Sequence, residues 1–332
     1  SIDHANLNST KIIKEAFENV KERIGRRPML MDFITQNSID PKVIISKFNN
    51  YYLFLKKYNY IGKIFRKDAV KNLTFLSKEL LPGLKKSDYE VLENMIKGND
   101  YSLKSEDDMK TSLNILSLNY FGKNEKERYG SPIVDPNTKR LSKTFSEYLK
   151  DKDYRSFVFD ILNLAKYYNE KIQNSGNDLI LYNQYTRLDF LKLVNWRNDK
   201  KNMANNIYGY RVLDEYIPLF ITYHKSEDID DSIKYEDHFL NQEELAWVSR
   251  KNVSLKNKEI NQIINHKEDG KTIYIFVKKN DSEGSQHYYL GEAEYMKGSA
   301  NETTNVTEDK IVTMNFIMKT PIRDDIYRYL VN

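Results

Sequence analysis

The stretch "LFITYHKSEDIDDSIKYEDHF", residues 219–239, sets an apolar run beside two histidines, four aromatic rings and a dense series of Asp and Glu. Three chemistries use such residue types. Carboxylates and imidazoles can hold a divalent metal, the same groups can move protons, and rings with a carboxylate beside them can clasp a flat ligand. The spacing does not match a calcium loop, because no glycine supplies the sharp turn and no Glu closes the ligand set. No lysine with two acids on adjacent strands can be found, which is the usual arrangement of a metal-dependent nuclease. The histidines are His4, His224, His238, His266 and His287, and only His224 and His238 share a segment. The expectation is therefore no catalytic residue and no metal, with a metal-dependent nuclease built on the acidic loop 227–238 kept as the alternative reading.

Around that loop lie Trp196, Tyr208, Tyr210, Tyr223, Tyr235, Phe239 and Trp247. Their separations fit neither one face of a helix nor one face of a strand, so several must sit on loops or strand ends. Rings in such places are core lids or stacking surfaces. Stacking contributes about 1–3 kcal/mol per base, comparable to the few kcal/mol that extruding a base costs. Two rings can therefore offset base flipping.

The elements that must position these groups change character along the chain. In "DPKVIISKFNNYYLFLKKY" Pro41 suits a helix start, and Ile44, Phe48, Tyr51, Tyr52 and Leu55 follow at helical spacing, predicting one amphipathic helix. "SDYEVLENMI" opens with Ser87 and Glu90 as a capping-box pair. "YRSFVFDILNLAKYYNEKI" predicts a long helix with Phe157, Ile161, Ala165, Tyr168 and Ile172 along one stripe. The polar "QNSGND", residues 173–178, marks the expected domain boundary. A short helix follows in "TRLDFLKLVNW", capped by Thr186 and Asp189. Beyond Trp196 the period becomes two. "KIVTMNFIMK" alternates, "KTIYIFVKK" is apolar on both faces, "QHYYLGEAEYM" is its expected partner across "NDSEGS", and "EYIPLFITYH" supplies a further strand. The predicted class is α+β: an all-α domain, 1–175, followed by a curled mixed β-barrel domain, 176–332.

The 332 residues hold no cysteine, which removes disulfides, thiolate metal sites and cysteine nucleophiles. No apolar run approaches a membrane span and no signal segment opens the chain, so a cytoplasmic protein with no membrane partner is expected. Residues 1–170 carry 30 Lys and Arg against 23 Asp and Glu, a balance of +7, while residues 171–332 carry 22 against 25, or −3. An acidic C-terminal half argues for local recognition over blanket attraction to phosphates. The lysine loop of nucleotide-triphosphate sites, G-x-G-x-x-G and H-E-x-x-H are all missing from the sequence. The first residue is Ser1, which predicts a portion of a longer protein.

The strings "LVNWRND", "IYGYRV", "PLFITYHK", "YEDHF", "WVSR", "FVKKNDSEG", "HYYLGE" and "MNFIMKTP" resemble the DUF3427 region found behind superfamily 2 helicase cores, often with a phospholipase-D-type nuclease at the front. "ERIGRRPMLMDFITQNSIDPKVI" resembles the helical segment preceding it. The resemblance extends to ATP-dependent type IV restriction enzymes that act on methylated or hydroxymethylated cytosine. It implies a helical coupler and an SRA-like or PUA-like recognition domain for 5-methylcytosine or 5-hydroxymethylcytosine in duplex DNA, read by base flipping. It also implies no cofactor here, with ATP and Mg²⁺ belonging to a motor elsewhere. The expected partners are double-stranded DNA, the nuclease and helicase domains of the same chain, and a second copy in a full-length homodimer. A helicase-associated protein-interaction scaffold is a further alternative.

Readers of that type hold the flipped base between rings with an acid on its amino group. Tyr223, Tyr235 and Trp247 are the candidate walls, with His224 beside them. Asp237 and then Asp231 are the candidates for cytosine N4. Arg250, Lys278 and Lys279 would meet phosphates or the orphaned guanine, and Ser249 would add a backbone or hydroxyl contact. The competing role for Tyr235 and Trp247 is structural, closing the barrel.

Overall fold

A computed structural model describes residues 10–101, 105–196, 207, 209–224 and 236–332. The chain divides into two compact units, one helical and ending at Asp178, the other starting at Leu179.

The first unit contains α1 (Thr10–Ile24), α2 (Leu30–Thr35), α3 (Lys42–Phe48), α4 (Tyr51–Lys57), α5 (Lys67–Phe75), α6 (Lys86–Lys97), α7 (Glu106–Leu116), α8 (Lys123–Tyr129), α9 (Lys143–Tyr148) and α10 (Lys152–Asn174). The central helix is α10. Its stripe buries Phe157, Ile161, Ala165 and Tyr168 as the spacing predicts, and it packs on α2 and α6. The single helix expected over 41–58 is two. Asn49 takes a φ of 72°, and the Asn50 side chain accepts from the Leu53 N–H at 2.9 Å, so one asparagine stops α3 and the next caps α4. The capping box expected at Ser87 is also not formed. The cap is Lys85, and Ser87 is turned into the interior. Gly83 shows why the turn before α6 is tight. Its φ is +64°, and a Cβ there would lie 2.3 Å from the Ala165 carbonyl oxygen of α10.

The second unit is α+β. Its strands are β1 (Gln184–Tyr185), β2 (Tyr216–Thr222), β3 (His238–Phe239), β4 (Glu244–Val248), β5 (Thr272–Lys278), β6 (His287–Tyr295), β7 (Asn301–Thr304) and β8 (Lys310–Met318); its helices are α11 (Arg187–Leu193), α12 (Lys258–Ile264) and α13 (Asp324–Val331). They form one mixed sheet in the order β2-β5-β6-β8-β4-β3, with β1 beside β6 and β7 beside β8. Among the described residues only β2 and β5 pair in parallel, and β5 turns antiparallel into β6 as expected. The expected barrel is an open sheet: among the described residues β2 and β3 remain its edges. It is nevertheless curled. Tyr210, held against the outer edge of β2 by its bridge to Leu219, meets Trp247 of β4 with ring centroids 4.8 Å apart.

Alternation dictates the core. Ile217, Leu219 and Ile221 of β2, Ile273, Ile275 and Val277 of β5, and Val312, Met314, Phe316 and Met318 of β8 share one face. Ile260 and Ile263 of α12 and Ile326 and Leu330 of α13 cover it. The opposite face of β5 is apolar too, and the adjacent α11 is its cover through Phe190, which contacts Tyr274 and Phe276. The capping box of α11 is formed as expected, Thr186 accepting from the Asp189 N–H at 3.1 Å and Asp189 from the Thr186 N–H at 2.8 Å. No described helix is long and apolar enough to cross a membrane.

Candidate nucleic-acid interface

The parallel pairing of β2 and β5 continues beyond both strands. The Tyr223 N–H donates to the Lys278 carbonyl at 2.8 Å, and the His224 N–H to the Lys279 carbonyl at 2.7 Å. One strand end therefore brings the backbones of Tyr223, His224, Lys278 and Lys279 side by side. Tyr223 stacks on Phe239 at 5.8 Å with the planes 11° apart, and its phenol oxygen accepts from the Phe239 N–H at 3.3 Å. Partial burial raises the Tyr223 phenol above its ordinary value. The His224 ring is edge-on to Tyr223 at 5.0 Å, and the residue is exposed. The Lys279 ammonium sits 4.8 Å above the ring of Tyr329 on α13. Lys278 is largely buried; its ammonium donates to the Gly284 carbonyl at 2.7 Å and lies 3.3 Å from the Asp281 carboxylate.

The other candidates are drawn inward. Asp237 is buried and accepts from the Val248 N–H at 2.8 Å, which ties the start of β3 to the end of β4. Trp247 is only 2% exposed and lies in the core, edge-on to Tyr210 at 4.8 Å and to Phe316 at 5.7 Å. The Ser249 hydroxyl donates to the Arg250 carbonyl and accepts from the Val312 N–H, both at 2.9 Å. The Arg250 guanidinium lies 4.0 Å over the Tyr210 ring, donates to the Tyr210 carbonyl and stands 3.6 Å from Glu259. Asp231 and Tyr235 fall outside the described residues, as does Tyr208.

The eight described candidates thus divide in two. Tyr223, His224, Lys278 and Lys279 share a strand end, whereas Trp247 and Arg250 pack around Tyr210 and Ser249 ties Arg250 to Val312. Asp237 joins them, because it lies two residues before Phe239 and bonds the residue after Trp247. The described flanks of the acidic stretch, Tyr223 and Phe239, are in this way held face to face. Among the described residues no group of three or more His, Asp or Glu could hold a metal.

Two residues that the sequence pattern does not single out stand beside Lys278. His287 has no solvent exposure, and its ring is edge-on to Phe220 at 5.1 Å; Arg187 of α11 lies over the same Phe220 ring, its guanidinium carbon 5.7 Å from the centroid. Phe220 itself stacks on Phe276 at 4.4 Å, as their register in β2 and β5 requires. The signal for them was the two-faced apolar strand "KTIYIFVKK". Such a strand needs a cover on its outer face, and the short helix that supplies it begins with Arg187.

A comparison with curated proteins finds no match. Among solved structures, the SRA domain of SUVH5 in complex with hemimethylated CG DNA is 10% identical, covering 44% of this chain and 92% of its own, with a TM-score of 0.30. The DNA modification-dependent restriction endonuclease AspBHI is 11% identical over 43% of this chain and 75% of its own, with a TM-score of 0.28. The sulfur-binding and SRA domains of ScoMcrA, complexed with phosphorothioated DNA, are 8% identical over 76% and 90%, with a TM-score of 0.29. Scores of this size carry neither fold nor function across to this chain. The family models are more direct: residues 13–174 match the domain of unknown function DUF8090, and residues 179–330, which span the curled sheet and its helices, match the domain of unknown function DUF3427.

Proposed function

We propose that the C-terminal unit reads modified cytosine, 5-methyl or 5-hydroxymethyl, in duplex DNA by accepting a flipped base, and that it serves an ATP-dependent, modification-directed restriction endonuclease. The observation that carries this reading is the strand end where Tyr223, His224 and Lys279 meet. A partly buried ring already aligned by Phe239 loses little freedom on stacking a base, and the neighbouring ammonium and imidazole groups suit the phosphates that flank it. The acidic stretch between Tyr223 and Asp237 adds carboxylates of the kind that accept from cytosine N4. The helical unit, with the positive balance and no comparable loop, is assigned to coupling with the motor.

Magnitude limits the selectivity. Burying one methyl contributes about 0.8 kcal/mol, roughly a fourfold preference. Larger discrimination needs contacts to flanking pairs or a second check when the motor engages. The test is an anisotropy titration of the 332-residue chain with matched duplexes that differ only in cytosine methylation. Tighter binding of the methylated duplex is expected, with no cleavage in Mg²⁺ or Mn²⁺. Equal affinities would sink the reading, and metal-dependent nicking by the pure chain would promote the nuclease alternative.

A further inference from the structure

The outer face of the sheet holds two positive charges, Arg187 and Lys278, and the one described carboxylate paired with either of them is Asp281 beside Lys278. The Arg187 Nε is buried without a hydrogen-bond partner, and among the described residues its guanidinium meets no carboxylate and rests on the Phe220 ring. Beside it lies Lys278, which has the Gly284 carbonyl and one exposed carboxylate, Asp281. His287 completes the group. Its Nδ1 is 3.1 Å from the Ser285 carbonyl, which accepts only, so Nδ1 bears the proton, and Nε2 is left buried with no partner among the described residues.

These groups face one shortage. A guanidinium does not shed its proton, so partly burying it without an anion carries a desolvation cost, whereas an imidazole escapes by becoming neutral. His287 has done so: burial first, then the charges of Arg187 and Lys278, push it down to about 3 against the weaker pull of Asp281. Hydrophobic packing alone gives no reason to keep an arginine there, because an apolar side chain of similar size would cover Phe220 without that penalty. An incoming oxyanion removes it, and the planar fork of arginine suits a phosphate in particular.

We infer that Arg187 and Lys278, beside His287, form a phosphate-binding site on the outer face of the sheet, and that its occupant is a backbone phosphate of duplex DNA. This rests on the DNA-reading proposal above. Continuity supports the choice of DNA, since Lys278 precedes Lys279 and is bonded through its carbonyl to Tyr223 at the strand end. The site holds the duplex in register while the strand end meets the base; it carries no information on modification.

The experiment is Arg187→Gln in the 332-residue chain, titrated with methylated and unmodified duplexes over a salt series. Loss of one phosphate contact lowers the slope of log K against log salt by about 0.9 and weakens both duplexes alike, by roughly tenfold or more. The ratio between the duplexes stays as in wild type. The melting temperature of the C-terminal unit stays level or rises, because an unpaired, partly buried cation has gone. A second arm titrates inorganic phosphate and follows the His287 imidazole by NMR. A phosphate response lost in R187Q, with duplex binding unaltered, supports the anion site but assigns it to a free phosphate compound. An unchanged salt slope with no phosphate response, or a fall in melting temperature with neither, overturns the inference. A wild type with no methyl preference but a slope that drops in R187Q refutes modification reading while leaving the phosphate site standing.

Discussion

Replacing Trp247 with Ala separates a wall of a base pocket from a beam of the fold. The structure commits Trp247 to the fold: 2% exposed, it is wedged between Tyr210 and Phe316, and Tyr210 is in turn clamped by Arg250. Truncating such a ring costs about 3–5 kcal/mol, including its edge-to-face packing against the two neighbouring rings. For a unit of this size each kcal/mol lowers the melting temperature by about 2–4 °C, so W247A should melt roughly 6–20 °C below wild type. The assay is built into the sequence. The chain has two tryptophans, Trp196 and Trp247, and both lie in the C-terminal unit, so Trp196 fluorescence reports the unfolding of that unit in the variant. Trp247→Phe should recover most of the loss. Below its melting transition W247A should still prefer methylated duplex. A variant that melts with wild type yet loses its preference would refute the reasoning from burial and return Trp247 to the pocket.

The companion variant is Tyr223→Ala, which removes a half-buried ring at the strand end; it should weaken methylated-duplex binding by roughly five- to two-hundred-fold, the equivalent of about 1–3 kcal/mol of stacking, while Tyr223→Phe keeps most of it. Anisotropy shows this, and equal affinities for Y223A and wild type would remove Tyr223 from the interface. His287 titrates at about 3 in the folded chain against an ordinary 6.5, so the unfolded state binds more protons between these values and stability falls as pH drops through that window. Trp fluorescence melts at about pH 6.5 and about pH 4.5, the upper end and the middle of that window, should show a smaller loss for His287→Phe than for wild type. Asp160 runs the other way: burial lifts it from 3.8 to about 7 despite the Leu30 and Met31 N–H groups it accepts, so its contribution is full below 3.8 and is lost as pH rises through 7. Asp160→Asn should therefore make the helical unit more stable than wild type at about pH 8, read by the melting of its helical circular dichroism, and a less stable variant would contradict the assignment.

The sequence by itself determined what depends on neighbours along the chain. The stripe of α10, the capping box of Thr186 and Asp189, the alternation of β8 and the hairpin of β5 with β6 were all legible, because periodicity and capping are local physics. It failed first where two local signals compete. The apolar stripe over 41–58 runs unbroken, yet Asn49 and Asn50 divide the helix, since an asparagine that accepts a positive φ outweighs a pattern that tolerates either outcome. Tertiary structure alone decided the rest. No spacing shows that β2 joins β5 in parallel, and that pairing is what sets Tyr223 and His224 against Lys278 and Lys279, far along the chain. Nor does composition say that the curl of the sheet turns Trp247 into the core, or that Arg187 comes to rest over Phe220 with no described anion near it. Residue type fixes what a side chain can do; its partners, its burial and its charge state depend on the chain segments that folding brings beside it.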